Sequence, residues 1–128
     1  MRNKSRSWVA MALLLGSVAH AGAQNAPSDY PQWRGRTRDG SASAFTPPKA
    51  WPEQLTRRWK VEVGEGYSTP LVVGSRVYTL TRRDGNEVVT ALDPSSGKVL
   101  WQTSYGAAHT LATGARNHGQ GPKSTPLF

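Results

Sequence analysis

A tetrapeptide that occurs twice constrains this chain more than any other feature. Ser68-Thr69-Pro70-Leu71 recurs as Ser124-Thr125-Pro126-Leu127. Each copy follows a tryptophan that ends a strand-like run, Trp59 before the first and Trp101 before the second. Repetition at this spacing builds propellers or solenoids, because one small unit cannot bury its apolar surface alone and stacks on the next. The proline narrows the choice further. It has no N–H to give to a ladder, so it belongs at a sheet margin. The strand it opens is expected to be the inner edge of a unit, facing a central channel.

The pattern around the two copies is that of strands. Arg58-Trp59-Lys60-Val61-Glu62-Val63 alternates bulky and charged residues, the period of a strand with one wet face. Ser68 to Val73 is a short apolar strand, closed by the two-residue hairpin signal Gly74-Ser75. Arg76 to Thr81 is rich in β-branched and aromatic residues, and Asp84-Gly85-Asn86 makes the next turn. Val88 to Asp93 is a third strand, Pro94-Ser95-Ser96-Gly97 a turn, and Val99 to Thr103 a fourth strand. The segment is therefore expected to be all-β, an antiparallel four-stranded meander. Val77 and Thr79 point to one face, Tyr78 and Leu80 to the other, so both faces need cover. Radial stacking of blades supplies it.

The first residues read differently. Arg2, Lys4 and Arg6 precede an apolar run, Trp8 to Val18, and then Ala19-His20-Ala21 or Ala21-Gly22-Ala23. A positive start, a short apolar core and an A-x-A site define a secretory signal peptide. The run is too short for a permanent membrane helix, and no later segment is apolar enough to stop transfer. The mature chain is expected to be periplasmic or secreted. Cleavage after Ala23 lowers the formal charge from +8 to +5, since it removes three basic residues and no acidic one. The remaining excess is scattered over Arg34, Arg36, Arg38, Arg57, Arg58, Arg82 and Arg83, without the dense basic face of a nucleic-acid binder. There is no cysteine, so no disulfide, lipid anchor, thiolate nucleophile or thiolate-bound metal is available.

At Ala91-Leu92-Asp93-Pro94-Ser95-Ser96-Gly97-Lys98-Val99-Leu100-Trp101 the chain resembles the repeat of pyrroloquinoline-quinone-type β-propellers, whose blade pattern is A-x-D-x-x-T-G-x-x-x-W. Ala91, Asp93, Gly97 and Trp101 match, and Ser96 replaces threonine. Gly74, Val77 and Tyr78 match the preceding G-x-V-Y with one extra residue. Trp33, Gly35, Asp39 and Gly40 resemble the stretch before the first blade. With the signal peptide over 1–23 and an irregular N-terminal arm over 24–54, the resemblance implies a ring-closing strand over 55–63. A first blade over 64–103 follows, then an inserted loop over 104–123 and the start of a second blade at 124–128. One blade and a closing strand do not close a ring. The chain is therefore expected to be the N-terminal piece of a propeller of about eight blades. The Trp101 indole is expected to wedge between adjacent blades.

The motif itself is architectural. Asp93 is expected to accept backbone N–H groups in its own turn, which argues against a catalytic role. The family includes quinone-dependent alcohol and sugar dehydrogenases, which use pyrroloquinoline quinone and calcium, and non-catalytic propellers such as that of outer-membrane assembly machinery. No catalytic, cofactor or metal residue is assignable in this chain. Asp84-x-Asn86 lacks the rest of a calcium loop, and no nucleophile elbow, phosphate loop or dinucleotide fingerprint occurs. The reading favoured is a binding or assembly scaffold in the bacterial envelope that takes a protein or small ligand and does not bind nucleic acid. The alternative is a quinone-dependent dehydrogenase.

The candidate binding segment is the inserted loop. From Trp101 to Ser124 the chain is longer than from Trp59 to Ser68 by roughly 14 residues with no strand pattern. A blade does not need them, and long loops on rigid scaffolds collect binding residues. His109, Arg116, Asn117, His118 and Gln120 are the candidates. The loop is expected to share one end of the sheet with Arg82 to Glu87. Export is checked by N-terminal sequencing: the mature protein should begin at Gly22 or Gln24, and exported material that keeps Met1 would contradict the signal assignment.

Overall fold

The computed structural model describes residues 26–42, 44–110 and 112–128. The signal peptide expected over 1–23 lies outside the described residues. The described residues are all-β, with four strands among them: β1 (Leu71–Val73), β2 (Arg76–Arg83), β3 (Asn86–Leu92) and β4 (Val99–Gly106). They pair antiparallel in the order β1-β2-β3-β4 as one meander. A 3-10 helix, Thr113–His118, interrupts the loop after β4. No helix among the described residues is long and apolar enough to cross a membrane.

Strand limits differ from expectation for a local reason. At the β2–β3 turn only Asp84 and Gly85 leave the ladder, with φ of 50° and 80°. Two successive positive φ values make a two-residue turn whose twist matches the strands on either side. Asn86 can therefore already pair with Arg83, and it also pairs across with Gly106. That pairing carries β2 to Arg83 and β4 to Gly106, beyond Thr81 and Thr103. A register shift between Ala91 and Leu92 lets Leu92 face Val99 while Ala91 faces Trp101, leaving Leu100 as the extra residue.

Cross-strand partners share a face, which assigns the two sides. Tyr78, Ala91 and Trp101 form one row, with Leu71 beside Tyr78, and Leu80, Val89 and Thr103 form the next. The opposite face carries Val77 and Leu92, then Thr79, Thr90 and Gln102, then Thr81 and Val88. The buried core draws on both: Leu71 and Ala91 from the first, Val88, Thr90 and Leu92 from the second. Removing each large aliphatic side chain from water contributes roughly 1.5–3 kcal/mol.

Segments from outside the meander cover both faces. Residues 59–64 run along the second face. The Val63 carbonyl accepts the Thr81 hydroxyl, and the Glu62 carbonyl accepts Arg83 Nη2 at 3.0 Å. Over 55–63 the chain forms no ladder within the described residues and serves as this cover. On the first face Phe128 lies against Tyr78, ring centroids 5.0 Å apart. Residues 124–128 form no strand, but the two tetrapeptide copies meet. Thr69 N–H donates to Thr125 Oγ1 at 3.0 Å, Tyr67 N–H donates to the Pro122 carbonyl at 2.8 Å, and the Ser68 hydroxyl donates to the Ser124 carbonyl.

The β1 edge is occupied as well. Tyr30 and Val72 exchange both backbone hydrogen bonds, at 2.6 and 3.0 Å. Buried Asp29 fixes the arm there: Oδ1 accepts Gly74 N–H at 2.9 Å and Oδ2 accepts Ala26 N–H at 2.7 Å. In this chain the edge expected to face a channel is thus capped by the N-terminal arm.

Trp101 is only partly covered, at 43% exposure, with its ring 5.9 Å from Tyr78. The tryptophan that docks within this chain is Trp59. Its Nε1–H donates to the Pro94 carbonyl at 2.8 Å, and its ring lies over Gly97. A Cβ on Gly97 would stand 2.6 Å from Trp59 Cε3, and Gly97 has a φ of +72°. Gly97→Ala is therefore expected to cost at least about 2 kcal/mol through the clash and the strained backbone together. A thermal melt should show a drop of roughly 10 °C.

Candidate functional site

The turn that carries the repeat motif is a closed hydrogen-bond system. Asp93 Oδ1 accepts Ser95 N–H at 3.0 Å and Ser96 N–H at 2.9 Å, together with both serine hydroxyls. Asp93 N–H donates to the Lys98 carbonyl at 2.9 Å, and Gly97 N–H donates to the Asp93 carbonyl at 2.8 Å. The Ser95 and Ser96 hydroxyls, then the Ser96 amide, hold the Asp93 carboxyl down at about 2. All four bonds from the serines fall on one oxygen of the carboxylate. A general base needs a pKa near the working pH, and Asp93 lies far below it.

The sheet end beyond the β2–β3 turn has different properties. Arg82 is nine-tenths buried. Its Nη2 donates to the Gly85 carbonyl at 3.1 Å and to the Ala107 carbonyl at 2.8 Å. One guanidinium nitrogen thus ties the hairpin tip to the start of the long loop, so the two segments share one end as expected. On its other side Arg82 exchanges backbone hydrogen bonds with Glu65 at 2.7 and 2.9 Å. A cleft of about 600 Å³ opens there, lined by Gly64, Glu65, Arg82, Arg83, Asp84, Gly85, Gly119 and Gln120.

The loop residues singled out by sequence are divided by the structure. Gln120 lines the cleft. His109, Asn117 and His118 are exposed and stand outside its lining. Arg116 contributes backbone to the 3-10 helix. Glu65, Arg82, Arg83 and Asp84 supply the charge, and sequence reasoning did not select them as a site. An arginine pair at a strand end reads as solvated surface. In the structure Glu65 pairs with Arg82 at the free edge of β2, and the Gly85 and Ala107 carbonyls accept Arg82 Nη2. Among the described residues, no three His, Cys, Asp or Glu side chains come together as a metal site would require.

A second concavity, about 370 Å³, lies on the first sheet face. Leu71, Tyr78, Val89, Trp101, Leu127 and Phe128 are among its lining residues. It is apolar and continuous with the exposed β4, all eight residues of which are open to solvent.

No protein-family model, no curated protein and no solved structure matches this chain.

The Asp93 turn makes a pH-dependent contribution of known sign. Its folded carboxyl titrates at about 2 against a usual value of 3.8, so between those values the unfolded chain holds the proton and the turn does not. Its stabilisation is complete above the usual value and is lost as pH falls toward about 2. Asp93→Asn keeps an acceptor oxygen but removes the charge. Melting curves from about pH 5 down to about pH 2 should therefore fall less steeply for Asp93→Asn than for the wild type. Asp39, also held at about 2, acts equally in both proteins.

Proposed function

We propose that this chain is the opening part of an exported β-propeller with pyrroloquinoline-quinone-like repeats, acting as a binding or assembly scaffold. The observation that carries the reading is the way successive repeat elements meet. The two Ser-Thr-Pro-Leu copies lie side by side and hydrogen-bond to one another. The segment before the first copy lies on one face of the meander, and Phe128, directly after the second copy, lies on the other. A sheet with a preceding unit on one face and a succeeding unit on the other is the element of a radial stack.

The binding role rests on the division of labour at the two ends. The motif turn is consumed by its own hydrogen bonds and by Trp59, whereas the loop end holds a polar cleft with a buried charge. Among the described residues no three His, Cys, Asp or Glu side chains gather, and Asp93 gives one oxygen to its own turn. No step of a quinone reaction is therefore assigned to them.

The ring is tested at Trp101. In the propeller this indole is buried between blades, and Trp101→Ala should cost about 3–5 kcal/mol. In an isolated meander, where it stays partly exposed, the loss should be less than about 1 kcal/mol. A melting temperature unchanged by the substitution would remove the propeller. Absorbance titration with pyrroloquinoline quinone and calcium tests the scaffold role. Tight uptake with dye-linked alcohol oxidation would replace it with a dehydrogenase.

A further inference from the structure

We infer that the cleft at the loop end is a carboxylate-binding site, with the Arg82 guanidinium as its anchor. The inference rests on the reading of this end as the binding end, but not on the ring. Burial of a guanidinium demands compensation, because the charge loses its water. Arg82 is buried at 9% exposure, and its compensation within the chain is small. Nη2 alone is hydrogen-bonded, and only to two neutral carbonyls. Glu87, its cross-strand partner, is hydrogen-bonded to the Tyr105 hydroxyl and not to Arg82.

The other donors are available to a ligand. Nε and Nη1 make no hydrogen bond to described residues, and neither is sealed off, since Thr79 Oγ1 is the sole buried side-chain polar atom without a partner among them. These donors remain within reach of solvent, and Arg82 lines a cleft large enough for a small organic ligand. A guanidinium offers parallel N–H groups that match the two oxygens of a carboxylate.

The charges of the cleft select among anions. Arg83, Glu65 and Asp84 line the cleft together with Arg82. The two carboxylates are exposed, and so is Arg83, which also donates to the Glu62 carbonyl. Exposed charges act through water, whereas the field of the buried Arg82 is roughly fourfold stronger at equal distance for an effective dielectric near 20. An anion is therefore held, but a singly charged one is favoured over a doubly charged phosphate. Glu65 and Asp84 at the rim then take hydrogen-bond donors next to the bound carboxylate. The ligand class is a small hydroxy- or amino-carboxylate, free or as the end of a larger molecule.

The test is NMR of the full-length chain labelled with nitrogen-15, titrated with glycolate, with inorganic phosphate and with sodium chloride as the ionic-strength control. Glycolate should shift the Arg82 Nε–H and the Gly85 and Gly119 amides saturably, with a Kd of about 1 mM or tighter. Arg82→Lys, which keeps the charge but loses the fork, should weaken this at least about tenfold. An Arg82 Nε–H signal that does not move in the wild type overturns the inference, and this readout holds even if the variant fails to fold. So does a response equal to that of chloride, or tighter binding of phosphate. None of these failures touches the propeller, which is decided by Trp101.

Discussion

The rest of the structure depends on the contact between the Trp59 ring and Gly97. The Asp93 carboxylate shapes the turn by gathering Ser95 and Ser96, and the turn has no side chain at Gly97 where the indole lies. The Trp59 N–H then reaches the Pro94 carbonyl. Asp93, Gly97 and Trp59 thus answer one geometric demand, a flat indole on bare backbone. Once Trp59 is seated, the residues after it run along the sheet, and Val63 reaches Thr81 near the far end of β2. That course covers Val88, Thr90 and Leu92, which are among the most buried side chains of the protein.

The same course creates the polar end. The chain leaves the covered face through Gly64 and pairs Glu65 with Arg82 along the edge of β2, where Arg82 is largely buried. Ala107 and Gly85 close over its Nη2 from the other side. Packing at the Trp59 end and burial of charge at the Arg82 end therefore have one cause, the path of residues 59–66.

The strands and turns were legible in the sequence because their causes are local. β-branched and aromatic residues mark β2, and Asp84-Gly85 and Pro94 to Gly97 carry the turn chemistry in neighbouring residues, whereas the period-two run 58–63 forms no ladder. What was not legible is what lies far apart in sequence. Asp29 reads as one acid in an irregular arm, yet it pins the arm to Gly74. Arg82 reads as surface, yet it is buried. The long loop was marked by its length, and Gln120 lines the cleft, but His109, Asn117 and His118 stand outside its lining. The histidines drew notice by their chemistry, and chemistry without a neighbour in space does not make a site. The repeat identified tryptophan as a docking residue, while which copy finds a seat in this chain depends on where the matching turn lies.

The two covers of the sheet come from opposite directions along the chain, and this sets an order in time. Residues 59–64 are synthesised before the meander they shield, so one face finds its lid ready as soon as β2 and β3 pair. The other face, with Tyr78 and Trp101, has no lid until Pro126, Leu127 and Phe128 have followed. The inserted loop lengthens that interval, because it is spelled out while the aromatic face is still bare. The fold is thus built like a row of shingles, each new piece sealing the seam left by the one before.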